Sequence, residues 1–325
     1  MLRCLLCASI GALFLVPVAL ASGGPPSPGV LQGGVGLLAP GGGVRYVTID
    51  RSKRTFLEAV STKDGKVRAA GYAGRWGIPA VALDGSAGGL STDGGTLVLA
   101  ERGFVTALRS RSFFRVVDTK TLLFTAIALR GDFAFDALSP DGRTLYLIQH
   151  VSSPNLTRYV VRAYDLERAR LLPGRIADRT QRGWVMQGYP VTRVTSAGGR
   201  RAYTLYQNPG GYPFVHALDT VRGVAHCIGI PWTGDQSRLF NLRLSLRDGG
   251  RTLALRWRSG RAFLAVDTQT FRVRQPGGNR AGAGGGDGFL WWAAGLGAGG
   301  AVAVLGALLL QAARRRGPRG APAGA

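Results

Sequence analysis

The sequence predicts an all-β repeat protein, and three observations support this prediction. One pattern recurs five times between Leu37 and Thr252: a short apolar run, a turn rich in Gly or Asp, and a second apolar run. When the five turns are aligned, they lie 52, 48, 57 and 50 residues apart. Glycine and proline punctuate the apolar runs, which disfavours long helices. A period of this size is typical of a β-propeller with one blade per repeat, so we expect about five four-stranded blades, within a range of five to seven.

Each repeat contains a second turn, which links the two outer strands of the expected blade. Four copies begin with an aspartate, namely Asp118, Asp165, Asp219 and Asp267. Aspartate is favoured there because its carboxylate accepts backbone N–H groups two residues further on. We therefore expect these aspartates to be structural, and not to bind metal or catalyse a reaction. In the third repeat the pattern predicts strands at 144–148, 158–164 and 169–176.

The two ends of the chain carry apolar segments that predict a membrane-anchored protein. Residues 5–20 are almost wholly apolar, and Ala19-Leu20-Ala21 is the pattern at which a signal peptide is cleaved; an uncleaved anchor is the alternative. Residues 289–313 contain no charge and are long enough to cross a bilayer, and four arginines follow them. Positive residues stay in the cytoplasm, so we expect a single-pass protein of the cell membrane with its C-terminus inside and its large domain outside.

Six segments are predicted from these features. They are a signal peptide at 1–21, a disordered linker at 22–34, the β-propeller at 35–274, a Gly-rich tether at 275–288, a transmembrane helix at 289–313 and a basic cytoplasmic tail at 314–325. Gly295 and Gly299 form a Gly-xxx-Gly pair within the helix, through which two copies could form a weak homodimer.

The large domain is strongly basic. Residues 22–288 contain 36 Lys and Arg against 18 Asp and Glu, to which the bias of a GC-rich genome towards Arg would also contribute. A basic domain outside the membrane attracts polyanions, so the expected partner is an anionic polymer of the cell envelope or an envelope protein. Nucleic acid is the least favoured partner, because the domain faces away from the cytoplasm. Cys227 is the one cysteine after the signal peptide, so no intramolecular disulfide is expected.

The connections between the expected blades carry recurring aromatic and basic residues. Flat rings and guanidinium groups together suit the binding of sugars, peptides, carboxylates or phosphates. The alternative is that the rings pack as wedges between neighbouring blades. The long connection at 177–190 is the first choice, because long loops on a rigid scaffold often carry function. The candidate binding residues are Arg75, Trp76, Arg179, Arg182, Trp184, Tyr189, Trp232 and Arg238.

No catalytic residue, metal ligand set or cofactor site is assigned from the sequence. The three histidines, His150, His216 and His226, do not form a metal-ligand set, although the last two could approach each other across one hairpin. Motifs typical of nucleotide, zinc or serine-hydrolase sites are absent from the sequence. A propeller hydrolase would need acidic residues or histidines gathered at the ring centre. Near the inter-blade connections the acidic candidates are Asp84, Asp132, Asp136, Asp178 and Asp235.

The segment from Ser139 to Tyr146, with the sequence Ser-Pro-Asp-Gly-Arg-Thr-Leu-Tyr, resembles the repeat of YVTN-type, lactonase-like β-propellers. Weaker matches occur at 91–97 and 246–253. The resemblance implies the propeller fold but not one function, since this repeat builds binding proteins, enzymes and assembly factors alike. We therefore expect an extracytoplasmic binding or scaffold module. A lactonase-like hydrolase and an envelope sensor acting through a membrane partner are the alternatives.

Overall fold

The computed structural model describes residues 28–31, 33, 35–51, 54–102, 107–178 and 185–275. The predicted signal peptide, transmembrane helix and cytoplasmic tail lie outside the described residues. Among the residues that are described, no helix is both long enough and apolar enough to cross a membrane.

The chain folds into five antiparallel sheets that follow one another in sequence, one for each predicted repeat. A short strand comes first, β1 (Val30–Leu31). Blade 1 contains β2 (Leu37–Leu38), β3 (Val44–Arg51), β4 (Arg54–Ser61) and β5 (Val67–Gly74). Blade 2 contains β6 (Trp76–Pro79), β7 (Thr96–Glu101), β8 (Arg111–Asp118) and β9 (Phe124–Arg130). Strand β1 pairs with β6, so this part of the segment interpreted as a linker adds an edge to blade 2.

The remaining three blades follow the same order. Blade 3 contains β10 (Asp132–Leu138), β11 (Thr144–His150) and β12 (Arg158–Asp165), with β13 (Arg170–Leu171) and β14 (Met186–Gln187) both paired to β12. Blade 4 contains β15 (Tyr189–Thr195), β16 (Arg201–Gln207), β17 (Phe214–Asp219) and β18 (Val224–Gly229). Blade 5 contains β19 (Leu242–Arg247), β20 (Thr252–Trp257), β21 (Ala262–Asp267) and β22 (Val273–Arg274). Five consecutive sheets built on four strands are the architecture of a β-propeller, as predicted.

One end of every blade carries both of its tight turns, and we call this end the turn side. In four blades a threonine hydroxyl of the outer turn donates to a glycine carbonyl of the inner turn; the pairs are Thr62 with Gly42, Thr119 with Gly94, Thr220 with Gly199, and Thr268 with Gly250. The turn aspartates accept backbone N–H groups two and three residues later, which confirms their structural role; they are Asp118, Asp165, Asp219 and Asp267. These backbone bonds lower the pKa of Asp118, Asp165 and Asp267.

Apolar clusters join consecutive blades. Leu57 of blade 1 and Leu97 of blade 2 share one cluster, and the interface of blades 4 and 5 buries Leu205, Leu253 and Leu255 completely. Similar clusters lie between blades 2 and 3 and between blades 3 and 4. A fully buried leucine contributes about 1.5–3 kcal/mol through the hydrophobic effect, so these interfaces hold the blades together. None of these clusters joins blade 5 to blade 1.

Residues 80–90, the first part of the connection from β6 to β7, run inwards, and we call them the inner segment. Backbone N–H groups of Leu83 and Asp84 donate to the carbonyls of Pro190 and Val191 in β15, at 2.8 and 3.2 Å. The carboxylate of Asp84 also lies 3.6 Å from Nε of Arg243 in β19. The inner segment of blade 2 therefore touches the first strands of blades 4 and 5.

Candidate ligand-binding site

The candidate residues that the structure describes fall at the end of the blades opposite the turn side, which we call the loop side. Arg179, Arg182 and Trp184 lie outside the described residues. The other five are described, and Trp76 and Tyr189 begin strands β6 and β15 instead of lying in loops.

Trp76 packs between blades 1 and 2. Its ring contacts the apolar cluster of that interface, and the guanidinium carbon of Arg115 lies 3.9 Å from the ring centroid. The indole nitrogen is buried and has no hydrogen-bond partner among the described residues. Arg75 lies 5.3 Å from the same ring and is paired with Glu101 at 2.8 Å. The Trp76 ring is therefore packed against other side chains, and the Arg75 guanidinium already has a carboxylate partner.

Trp232 holds a similar place between blades 4 and 5. It contacts Trp257 and Phe263, with ring centroids 6.0 and 5.4 Å apart, at the edge of the apolar cluster of that interface. Arg238 is exposed in a 3-10 helix at Gln236–Asn241, and its guanidinium carbon lies 5.6 Å from the Trp257 ring. Arg75 and Trp76 therefore lie together between blades 1 and 2, whereas Trp232 and Arg238 both contact Trp257 in blade 5.

A cavity of about 460 Å³ opens on the turn side, where the sequence did not predict a site. The inner turns of blades 1, 2 and 4, the end of β10 in blade 3 and the inner segment form its wall. Much of the wall is apolar, with Leu37, Val81, Phe135 and Leu138 among the contributors, and hydroxyl groups of Ser91, Thr92, Thr195 and Ser196 add polar atoms. Its volume lies within the range of about 300–1,000 Å³ that is usual for small-molecule sites.

The cavity contains one pair of opposite charges, Asp136 of β10 and Arg193 of β15. Nη2 of Arg193 lies 2.5 Å from Oδ1 of Asp136, and the two side chains are only 5% and 4% exposed. A second guanidinium nitrogen donates to the Asp136 carbonyl. Oδ2 of Asp136 and Nε of Arg193 have no hydrogen-bond partner within the described chain. The pair joins blades 3 and 4, and both of these atoms are buried.

This pair is not predictable from the sequence, because its members are 57 residues apart and each stands in a strand. The available signal was a charge inside an otherwise apolar stretch: Asp136 lies within Phe133–Leu138, and Arg193 within Tyr189–Val194. A charge in such a place requires a partner, because burying it alone is costly. The sequence could not say which partner it finds.

His216 and Cys227 face each other on neighbouring strands of blade 4, with Nδ1 and Sγ 3.8 Å apart. Burial lowers the pKa of His216 to about 4 and raises the pKa of the Cys227 thiol. Both groups are therefore uncharged near neutral pH. A reactive cysteine needs the thiolate, so this pair lacks the electrostatics of a nucleophilic site. His226 is paired with Ala217, on the opposite face of the hairpin from His216, so the two histidines do not approach each other as the sequence allowed.

The acidic residues that a hydrolase would need are engaged separately. Oδ1 of Asp132 is bound by Arg109 at 2.7 Å, and Asp178 contacts His226 at 2.9 Å. Asp235 caps the 3-10 helix of blade 5, while Asp84 accepts from Ser86 in the inner segment. Within the described ranges, no group of three or more His, Cys, Asp and Glu is arranged to hold a metal ion.

Positive charge is concentrated in the last two blades. Residues 189–275 hold 13 Lys and Arg against 4 Asp and Glu, whereas the described part of blade 3 holds 6 of each. Five exposed arginines stand at turns of blades 4 and 5, on the turn side, and we call them the arginine cluster: Arg200, Arg222, Arg247, Arg251 and Arg272. The nearby carboxylates of Asp219 and Asp267 are bound by backbone N–H groups of their own turns. A signal for this cluster exists in the sequence, since Gly-Gly-Arg occurs at both 198–200 and 249–251.

No family model matches the chain, and no curated protein matches it in sequence. Solved structures are similar to it in fold. TolB from Acinetobacter baumannii has 13% identity and a TM-score of 0.43, over 73% of this chain and 54% of that one, so this chain spans about half the length of that TolB. An oligogalacturonate lyase in complex with manganese has 11% identity and a TM-score of 0.45, over 78% and 67%.

A third similar structure is the β-propeller domain of Cps50 (Swd1) from Myceliophteria thermophila. It has 11% identity and a TM-score of 0.40, over 78% of this chain and 70% of that one. Likeness at these levels concerns fold alone, and the ligands or reactions of these proteins say nothing about the present chain.

Proposed function

We propose that this chain is an extracytoplasmic binding module, anchored by the segment at 289–313, that takes an anionic polymer of the cell envelope or an acidic envelope protein. The arginine cluster carries the proposal, because it places five exposed guanidinium groups on one side of blades 4 and 5. Guanidinium groups bind carboxylate and phosphate oxygens through paired hydrogen bonds, and the excess of positive charge accelerates the encounter with a polyanion.

The sequence-predicted loop-side residues are a second candidate surface for the same partner. Of these, Arg75 and Arg238 are exposed and Tyr189 is half-buried, and Arg75 is paired with Glu101. We further propose that the repeat belongs to the YVTN-type group, which the recurring bond from Ser91 to Asp93 and from Ser139 to Asp141 supports. A homodimer through Gly295 and Gly299 is part of the same proposal for the membrane segment.

The proposal is tested by capture of isolated envelope components at low and high salt. In one variant Arg247, Arg251 and Arg272 of blade 5 become Gln. In the matched control Arg158, Arg170 and Arg175, exposed arginines of blade 3, become Gln, so the charge changes equally. We expect capture by the unmodified chain and the control at low salt, less capture at high salt because ions screen exposed charges, and little capture by the blade 5 variant. Capture that survives salt and both triple variants would contradict the proposal and favour the loop side.

A lactonase-like hydrolase remains the alternative in the enzyme class. It predicts turnover of a lactone or ester that disappears when Asp132, Asp136 and Asp235 become Asn. Asp132, Asp136 and Asp235 each have a different partner in the structure, which argues against their acting together as one catalytic group. The sensor alternative would act through a membrane partner.

A further inference from the structure

The outer strand of blade 2, β9, has a long and regular edge that the described residues leave open. Proteins protect such edges with short strands, covering segments or irregular pairing. Blades 3 and 5 end in strands of two residues, β13 and β22, and β18 of blade 4 is bridged by Asp178 at Ala225. In blade 1, β5 pairs with β4 in a register that shifts at two places. By contrast, β9 pairs with β8 at seven consecutive positions without a shift, and with no other described strand.

Hydrogen bonds at both ends of the β8–β9 pair identify the backbone groups that point to this open edge. The N–H of Asp118 donates to the carbonyl of Leu123 at 2.9 Å, and the N–H of Gly131 donates to the carbonyl of Ser110 at 2.8 Å. In an antiparallel pair, residues whose backbone bonds the partner strand alternate with residues whose backbone points away from it. The odd-numbered residues of β9 therefore bond β8, and the even-numbered ones direct their N–H and C=O groups outwards; these are Phe124, Ala126, Ala128 and Arg130.

The side chains of β9 suit an apolar partner along most of the strand. Ile127 and Leu129 are buried in the cluster between blades 2 and 3 and hold the strand in place. On the opposite face, Ala126 and Ala128 are exposed, and Phe124 is 46% exposed. The strand contains neither lysine nor proline, the residues that commonly prevent the addition of another strand. Main-chain hydrogen bonds to an edge of this kind are how a sheet binds an extended peptide.

The end of β9 carries an uncompensated positive charge. Arg130 lies directly opposite Arg111 of β8. Both side chains are exposed, and within the described chain no carboxylate is paired with either of them. Like charges opposite each other on neighbouring strands are destabilising. A carboxylate on an added strand, placed opposite Arg130, would compensate this charge.

We propose that β9 is a docking edge for an extended segment of an acidic partner protein. The segment adds to blade 2 as a further antiparallel strand, with a carboxylate opposite Arg130 and apolar side chains opposite Ala128, Ala126 and Phe124. A second copy of this chain fits the edge less well, because β9 has no carboxylate of its own. This docking edge belongs to blade 2 and is separate from the arginine cluster of blades 4 and 5.

Two fluorescent peptides test the proposal on the full-length chain. One has the sequence Glu-Thr-Val-Thr-Val-Thr-Tyr, with blocked ends, and the other has Lys in place of Glu. In an antiparallel strand the first residue lies opposite Arg130, the valines lie opposite Ala128 and Ala126, and the tyrosine lies opposite Phe124. Fluorescence anisotropy measures binding, and we expect the Glu peptide to bind at least about fivefold more tightly than the Lys peptide. Equal binding of the two peptides, or no binding of the Glu peptide, would overturn the proposal.

A charge reversal separates this edge from general attraction to a basic protein. Arg130 is exposed, so Arg130→Glu changes the charge at the edge without disturbing the core, and it should reverse the preference to favour the Lys peptide. Arg158→Glu is the matched control, because Arg158 is exposed in β12 of blade 3 and the change in charge is the same. The control should still prefer the Glu peptide. The same change of preference in both variants, or in neither, would overturn the proposal.

A backbone variant tests whether the peptide adds as a strand. Ala128→Pro removes an N–H that points outwards, which an edge strand tolerates, whereas Ala128→Ser keeps it. With the fold verified by circular dichroism, we expect the affinity of the Glu peptide to fall about fivefold in the proline variant and to be retained in the serine variant. An unchanged affinity in the folded proline variant would overturn the proposal. A dimer of the unmodified chain in sedimentation velocity that Ala128→Pro dissociates would also overturn it, in favour of a second copy.

Discussion

The turn side and the interfaces between blades are built on different principles. On the turn side the same hydrogen bonds recur from blade to blade. A threonine hydroxyl donates to a glycine carbonyl in four blades, and a turn aspartate accepts backbone N–H groups of its own turn in four. Between the blades each contact is different, as in the ion pair of Asp136 and Arg193 at one interface and the rings around Trp232 at another. Each repeated contact contributes a small part of the free energy of unfolding, whereas a contact that occurs once contributes a large part.

The largest loss of stability is expected at the interface of blades 3 and 4, where Asp136 and Arg193 form a buried ion pair. Asp136→Ala leaves the guanidinium of Arg193, which is 5% exposed, without its carboxylate. Breaking a buried pair in this way costs about 3–5 kcal/mol of unfolding free energy. Urea denaturation measures the loss, and the control is Asp136→Leu combined with Arg193→Met, which should cost much less. Equal losses in the single and double variants would contradict the view that an unpaired charge causes the effect.

A pH-dependent loss of stability is expected from His216, which is buried in blade 4. Burial lowers the pKa of His216 from 6.5 to about 4, so the unfolded chain takes up this proton first. Its contribution to stability is complete above pH 6.5 and is lost as the pH falls towards 4, by roughly 3 kcal/mol in all. His216→Phe should remove this slope, as measured by urea denaturation between pH 7 and 4.

The turn aspartates provide an internal control for that measurement. Hydrogen bonds lower the pKa of Asp93, Asp118, Asp141, Asp165 and Asp267, so their contribution is lost only as the pH falls below their ordinary value of 3.8. This second loss should persist in His216→Phe when the urea measurements are extended below pH 3.8. A slope between pH 6.5 and 4 that survives the substitution would show that another group titrates there.

An intermediate loss of stability is expected for Trp232, whose ring packs between blades 4 and 5. Trp232→Ala should cost about 2 kcal/mol, below the 3–5 kcal/mol that is usual for a fully buried tryptophan because this ring is half-buried. Leu123→Ala is the control, since Leu123 is 72% exposed and should change stability little. If Trp232→Ala instead kept full stability and lost partner binding, the ring would be a ligand contact, as the sequence analysis proposed.

The smallest effect is expected on the turn side. Thr220→Val keeps the shape of the side chain but removes its hydroxyl, which donates to Gly199 at 2.7 Å. One such bond contributes about 1 kcal/mol, and thermal unfolding of the variant should show a correspondingly small decrease in Tm. Thr62→Val should cost less than Thr220→Val, because its bond to Gly42 is exposed to water. A loss as large as that of Asp136→Ala would contradict the contrast between repeated and single contacts.

This contrast explains how much of the molecule the sequence could predict. The aspartate turns were predictable because Asp118 binds N–H groups only two and three residues away, and the pattern recurs. The five-blade count followed from the same repetition. The pairing of Asp136 with Arg193 was not predictable, because it depends on how blades 3 and 4 pack across 57 residues. Trp76 and Trp232 were identified by position, but sequence alone could not tell a ring that faces a ligand from one that packs between blades.

The central functional claim is that the arginine cluster binds a polyanion. The most direct measurement is the affinity of the full-length chain for fluorescent polyphosphate by anisotropy, compared between the blade 5 variant R247Q/R251Q/R272Q and the blade 3 control R158Q/R170Q/R175Q. Both lose three positive charges, so a non-specific attraction to the basic protein would weaken equally in both. We expect the blade 5 variant to lose at least about tenfold more affinity than the control. Equal losses in the two variants would contradict a site on the turn side of blades 4 and 5.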